Sequence, residues 1–305
     1  MKRLKLGTSG LEASDIALGC MGLGQLPVSK AEMVIRNAMD LGVNFFDHAD
    51  IYAAGASESV FAEALGMTPA VRENMIIQTK AGIRKGYYDF SKEHLMRSAN
   101  DSLKRLKTDY IDIFMLHRPD MLMEPEEVAE AFHELKTSGK VRHFGVSNHN
   151  PMQIELLKKH VGQDLIVNQL QLSVLHTGMM DAGVQVNTRH ENSVNRDGSV
   201  LDYSRLHDMT VQAWSPFRYG QFEGFFLDNK NMPEINAKLQ EIADRYGLSK
   251  SAIAVAWILR HPARIQAVVG TMTPERLTAI SQASGLELTR QEWYEIYRAA
   301  GNDLP

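Results

Sequence analysis

Met75-Ile76-Ile77-Gln78-Thr79-Lys80 is followed by an amphipathic stretch from Lys92 to Leu106, and that by Ile111-Asp112-Ile113-Phe114-Met115-Leu116-His117. The two apolar runs have strand length and strand composition, and the stretch between them has helical spacing. Ser91 supplies a capping side chain ahead of His94 and Leu95. Leu95, Ala99, Leu103 and Leu106 fall on one helical face, which the pattern marks as core. The unit reads as strand, helix, strand.

The same alternation runs outward in both directions. Eight apolar runs of strand type occur: Ile16–Gly19, Val43–Phe46, Met75–Thr79, Ile111–Leu116, Val141–Val146, Leu165–Gln169, Thr210–Trp214 and Gln266–Gly270. Helices are expected near Lys30–Asp40, Ser57–Leu65, Lys92–Leu106, Pro125–Ser138, Pro151–Lys159, Leu201–His207 and Ser249–His261. Pro125 and Pro151 suit first-turn positions, and Gly139 suits a helix end. Eight such units predict an α/β fold, a (β/α)8 TIM barrel, in preference to a doubly wound open sheet. Leu4-Lys5-Leu6 and Glu12-Ala13-Ser14 flank Gly7-Thr8-Ser9-Gly10, which predicts an N-terminal β-hairpin. Two extra helices are expected at Pro233–Tyr246 and Arg290–Ala300. With no linker or low-complexity tract, residues 1–305 read as one barrel domain.

Composition limits the function. Lys plus Arg is 33 and Asp plus Glu is 37, a formal charge of −4, with no basic run. Nucleic-acid binding is therefore a poor expectation. Cys20 is the only cysteine, which rules out an internal disulfide. That single thiol suits a reducing compartment. The chain shows neither a signal-peptide pattern nor an apolar run of roughly 18 residues, so a cytoplasmic protein without membrane spans is expected. Gly19-Cys20-Met21-Gly22-Leu23-Gly24 does not have G-x-G-x-x-G spacing. The histidines lack metal-ligand spacing, and no metal is expected.

Function in a barrel sits at the carboxyl ends of the strands and in the loops after them. Asp47 closes one strand, Tyr52 lies in the loop after it, Lys80 ends the next strand and His117 the one after that. Parallel pairing would gather these four at one end. Each has an ordinary reading when taken alone: a turn cap, a packed phenol, a solvated ammonium, a loop histidine. Together they form a proton-transfer device. A free phenol has a pKa of about 10 and becomes a useful acid beside a cation. Tyr52 would be the acid, Lys80 its tuner, Asp47 the anchor of Lys80, and His117 an orienting donor. The set names no electron source, and it suits enolisation as well as carbonyl reduction. Three long loops are candidate pocket walls: 118–124, 172–200 and 215–231.

At these residues the chain resembles the aldo-keto reductase superfamily. The resemblance rests on Asn44-Phe45-Phe46-Asp47-His48-Ala49-Asp50-Ile51-Tyr52, on Lys80, and on Leu116-His117-Arg118-Pro119. It rests most specifically on Gly139-Lys140-Val141-Arg142-His143-Phe144-Gly145-Val146-Ser147-Asn148, with Trp214-Ser215-Pro216 in place of a Tyr-Ser-Pro pattern. The resemblance implies hydride transfer from NADPH to an aldehyde or ketone, with Tyr52 as general acid supported by Asp47, Lys80 and His117. It places Ser147, Asn148 and Gln169 at the nicotinamide carboxamide, Trp214 against the ring, and Ser215 near the pyrophosphate. Thr271 and Arg276 match the adenine and 2′-phosphate segment. Gly270 and Ile280 depart from it, standing where many members have Lys and Asn. NADP is expected over NAD, with a preference weakened by those departures. Arg118 either faces the pocket mouth, where it would attract an anionic substrate, or pairs with Asp120. Tyr87 and Phe222 are further candidates for the substrate pocket, together with Met21, Leu23, Leu26 and Tyr88. The expected partner is a small-molecule carbonyl, and the family leaves the oligomeric state open. Two other functions compete: a cofactor-sensing binding subunit with little turnover, and a barrel isomerase using the same acid.

Overall fold

The computed structural model describes residues 1–220 and 223–304. Eight parallel strands close into a barrel in chain order. They are β1 Ile16–Gly19, β2 Phe45–Asp47, β3 Ile76–Ala81, β4 Ile111–Leu116, β5 Val141–Ser147, β6 Leu165–Gln171, β7 Thr210–Trp214 and β8 Gln266–Val269. Each of the eight apolar runs of the sequence supplies one strand. Closure is made where Val269 pairs with Leu18. Helices pack outside the strands, and apolar side chains facing outward from the sheet meet them: Phe46 and Ile77 lie in one cluster with Val34, Ile35 and Phe61.

The barrel interior is a separate core. Ala17, Phe45, Ile113, Met115, Val167 and Val268 fill it, joined from below by Leu6 and Ala13. Those last two come from the N-terminal hairpin, Arg3–Lys5 paired with Glu12–Ser14. The hairpin therefore closes the amino end of the barrel. Its turn approaches so closely that a Cβ on Gly7, at φ +49°, would lie 2.6 Å from the Ile166 carbonyl oxygen. Only glycine accepts both the left-handed backbone and that approach.

The two extra helices form at Pro233–Tyr246 and Arg290–Ala299. Three further helices escape the sequence pattern: Pro69–Arg72, Gly178–Val184 and the eighth barrel helix, Pro274–Ser281. They are short, and the last buries only Leu277 and Ile280, too few apolar positions to show a period. A second small hairpin, Ile83–Arg84 with Tyr87–Tyr88, also stands at the carboxyl end of β3. No helix of the described residues is long and apolar enough to cross a membrane.

Candidate active site

Register brings the polar strand ends to one level. Asp47 pairs with Gln78, and Lys80 with Met115, two residues before His117. Side chains alternate along a strand, so Gln78 and Lys80 point the same way, into the barrel, and Thr79 points out. Thr79 accordingly donates to Glu58 on the surrounding helix at 2.6 Å.

Lys80 is fully buried. Its Nζ lies 2.8 Å from Asp47 Oδ1. It donates to the His48 carbonyl oxygen at 2.7 Å and to the Tyr52 hydroxyl at 3.3 Å. Burial opposes the ammonium, but the Asp47 carboxylate and Tyr52 outweigh it and leave the Lys80 pKa raised. Tyr52 sits in a tight turn after β2, where Ala53 and Ala54 take left-handed backbone at φ 49° and 53°. Burial raises the Tyr52 pKa, and the Lys80 charge recovers only part of that. The phenol therefore stays protonated at neutral pH. His117 meets the Tyr52 ring edge-on, with centroids 6.0 Å apart. Burial, then the charges of Lys80 and Arg118, push its pKa well down, so the imidazole is neutral. Its Nδ1 is buried without a partner.

The anchor extends further than the sequence suggests. Asp47 Oδ1 also accepts from Gln78 Nε2 at 2.6 Å and from Gln169 Nε2 at 3.1 Å. Both amides reach Gln212 Oε1, at 2.8 and 3.2 Å. Gln212 donates to Gln266 at 2.8 Å, and Gln266 to the Ser14 carbonyl at 2.7 Å. A line of buried amides thus crosses the barrel from the carboxylate of β2 to Ser14, the last residue of the N-terminal hairpin. Gln78, Gln212 and Gln266 are missing from the reading of the sequence. Their signal is a long polar residue set inside each apolar run.

The candidate cofactor residues lie along the same rim. Ser147 Oγ donates to the Gln169 carbonyl at 2.9 Å, and Asn148 Nδ2 donates to Ser147 Oγ at 2.8 Å. Asn148 and Ser215 take left-handed backbone at φ 59° and 52°. Gln169 turns its amide nitrogen inward to Asp47, so its carbonyl oxygen is what remains to meet a ligand. Trp214 Nε1 is buried and has no partner among the described residues. Thr271 Oγ1 accepts from the Thr273 backbone nitrogen at 3.3 Å. Arg276 and Gly270 are exposed, and a Cβ on Gly270 would meet nothing within 4 Å. An unpartnered indole, an open glycine and an exposed guanidinium along one rim fit an elongated dinucleotide.

Arg118 does not pair with Asp120. Asp120 instead accepts from the backbone nitrogens of Phe90 and Leu122, at 3.0 and 2.9 Å. Arg118 is half-buried, with its guanidinium carbon 5.4 Å from the centre of the Trp214 ring. Tyr87 is exposed on the small hairpin. Phe222 lies outside the described residues. The 172–200 loop is tied to the C-terminal segment: Tyr297 donates to Asp181 at 2.7 Å, and Gln185 to the Asp303 carbonyl at 2.6 Å.

The family model described as the aldo/keto reductase family matches residues 15–300. The oxidoreductase YcsN of Bacillus subtilis is 35% identical, with 100% of each chain covered. A 6-dehydroglucose reductase of Novosphingobium aromaticivorans is 34% identical, over 99% of this chain and 96% of the relative. The holo form of an aldo-keto reductase from Bacillus halodurans has a TM-score of 0.75 at 26% identity, over 100% of this chain and 98% of the other.

Proposed function

Because the chain belongs to the aldo/keto reductase family, we propose that it reduces an aldehyde or ketone to an alcohol with NADPH, Tyr52 giving the proton. The observation that carries this reading is the Tyr52 hydroxyl 3.3 Å from a buried ammonium that is itself fixed 2.8 Å from Asp47.

When bound, the dihydronicotinamide supplies hydride to the carbonyl carbon. The remaining work falls to the protein's own residues. Tyr52 holds its proton at neutral pH and points it at the substrate oxygen. As that oxygen gains charge, the phenol releases the proton, and the Lys80 ammonium stabilises the phenolate left behind. Asp47 and the His48 carbonyl keep the ammonium in place. The neutral His117 orients the carbonyl oxygen with a ring N–H. Ser147, Asn148 and the Gln169 oxygen would hold the carboxamide and so choose the ring face presented to the substrate. Trp214 would lie against the ring, and Ser215 and Thr271 would hold the phosphate side. Arg276 is a fork suited to a 2′-phosphate, which favours NADP over NAD.

The test is Tyr52→Phe, assayed by NADPH consumption with 4-nitrobenzaldehyde. General acid catalysis contributes about 10²–10⁴-fold, so kcat should fall by at least about 10². NADPH should still quench tryptophan fluorescence with its original affinity. Full turnover by Tyr52→Phe would remove the acid assignment.

A further inference from the structure

Among the described residues, one cation near the Tyr52 end of the site lacks a counter-charge. Lys80 is cancelled by Asp47 at 2.8 Å, and His117 is held neutral by burial. Arg118 is the remaining charge. Among the described residues no acceptor takes a hydrogen bond from its guanidinium, and its sequence neighbour Asp120 is occupied by two backbone nitrogens. Burial pulls its pKa down, against the opposing influence of Tyr88 and Tyr52. The guanidinium lies against Trp214, 5.4 Å from the ring centre, within electrostatic reach of Tyr88 and Tyr52. Asp50, the closest carboxyl in sequence to Tyr52, faces Ser98, Glu58 and Arg105 instead. The half-buried guanidinium keeps its N–H donors open to a ligand, and a charged acceptor there gains more than water would give.

Resting on the reductase reading, we propose that the carbonyl substrate carries a carboxylate, which Arg118 grips through paired N–H donors. The planar fork matches a carboxylate in two parallel hydrogen bonds. The Arg118 guanidinium lies against Trp214 and His117 against Tyr52 at the same end of the barrel, so one small molecule can present its carboxylate to the first and its carbonyl to the second. Trp214 sets aromatic surface against the guanidinium, which suits an aromatic or short aliphatic spacer between the two groups. Arg118 is then a specificity-determining residue, and the substrate class is an oxo acid or a carboxyl-bearing aldehyde.

The test compares 4-carboxybenzaldehyde with its uncharged counterpart methyl 4-formylbenzoate, using wild type, Arg118→Lys and Arg118→Met. Wild type should favour the acid by about tenfold or more in kcat/KM, the expected size of a hydrogen-bonded charge pair. Arg118→Met should bring the acid-to-ester ratio close to one, and Arg118→Lys should keep part of it, since charge survives and the fork does not. Tryptophan fluorescence titration with NADPH on each variant separates a lost cofactor from a lost carboxylate. Equal use of acid and ester by wild type overturns the proposal and leaves the reductase reading intact. Equal slowing of both by Arg118→Met also overturns it. Failure of wild type to reduce either aldehyde while binding NADPH sinks the reductase reading itself.

Discussion

Asp47 and Lys80 form an ion pair 2.8 Å long with both side chains shut away from water. Neither charge is stable there without the other. The pair is built from adjacent parallel strands, so the barrel fixes its geometry before any ligand arrives. Three donors converge on the single oxygen Asp47 Oδ1, two of them amides from β3 and β6. The carboxylate is thus held by the barrel interior and in turn aims Lys80 at Tyr52.

Removing both partners should cost less than the two single losses added together. A broken buried pair leaves an uncompensated charge, at about 3–5 kcal/mol. Asp47→Ala and Lys80→Met should each lose stability on that scale in urea unfolding. The double variant should lose clearly less than the sum of the singles, since no lone charge remains. Strict additivity would show that the two groups are not energetically coupled.

His48 makes an acid-sensitive contribution. Its ring is buried, both nitrogens lack partners, and it packs edge-on against Phe61 with centroids 4.6 Å apart. Burial, then the Lys80 charge, push its pKa down from 6.5 to about 3. The folded-state pKa lies below the unfolded one, so between these values the unfolded chain binds the extra proton. Stability is fully present above about pH 6.5 and declines as pH falls toward about 3. Asp50, raised to about 6 by burial, works in the opposite sense between about 4 and 6. The clean readout is therefore a difference between proteins. His48→Leu should lower the slope of unfolding free energy against pH by one proton relative to wild type, about 1.4 kcal/mol per pH unit between pH 4 and 6. An unchanged slope in urea titrations across that range would show that His48 is not the titrating group.

The parts of the fold legible in the sequence are those that bury much apolar surface on a regular period. All eight strands and the helix Lys92–Leu106 declare themselves through Ile, Val, Leu and Phe spacing. Pro274–Ser281, with two buried apolar residues, does not. The four candidate catalytic side chains were visible because each ends an apolar run or lies just after one. Their electrostatic balance was not. Lys80 was expected to make Tyr52 a readier acid, but burial outweighs it and the phenol pKa rises. Burial depth is a property of the closed barrel, absent from any local stretch. The amide line through Gln78, Gln212 and Gln266 was hidden for a similar reason, since each member meets partners 31 to 252 residues away. The pairing of Asp120 with two backbone nitrogens, which leaves Arg118 free of it, depends on a turn that no periodicity encodes.

The adenine end of the proposed cofactor site admits a gain as well as a loss. Arg276 is exposed near the start of the last barrel helix, and Arg276→Met should raise the KM for NADPH by about tenfold or more, as expected for loss of a charge-assisted contact to phosphate. The KM for NADH should hardly move, because NADH has no 2′-phosphate. Gly270 stands at the end of β8 with exposed backbone, and its φ lies outside the left-handed region. A Cβ there meets nothing within 4 Å. Gly270→Lys therefore adds a second cation at that end without a clash, and it also reduces the freedom of the unfolded chain. NADPH binding should tighten several-fold with NADH unchanged, and the protein should be no less stable. Steady-state KM values for both cofactors check this. If Gly270→Lys and Arg276→Met move NADPH and NADH together, the 2′-phosphate does not sit between these residues.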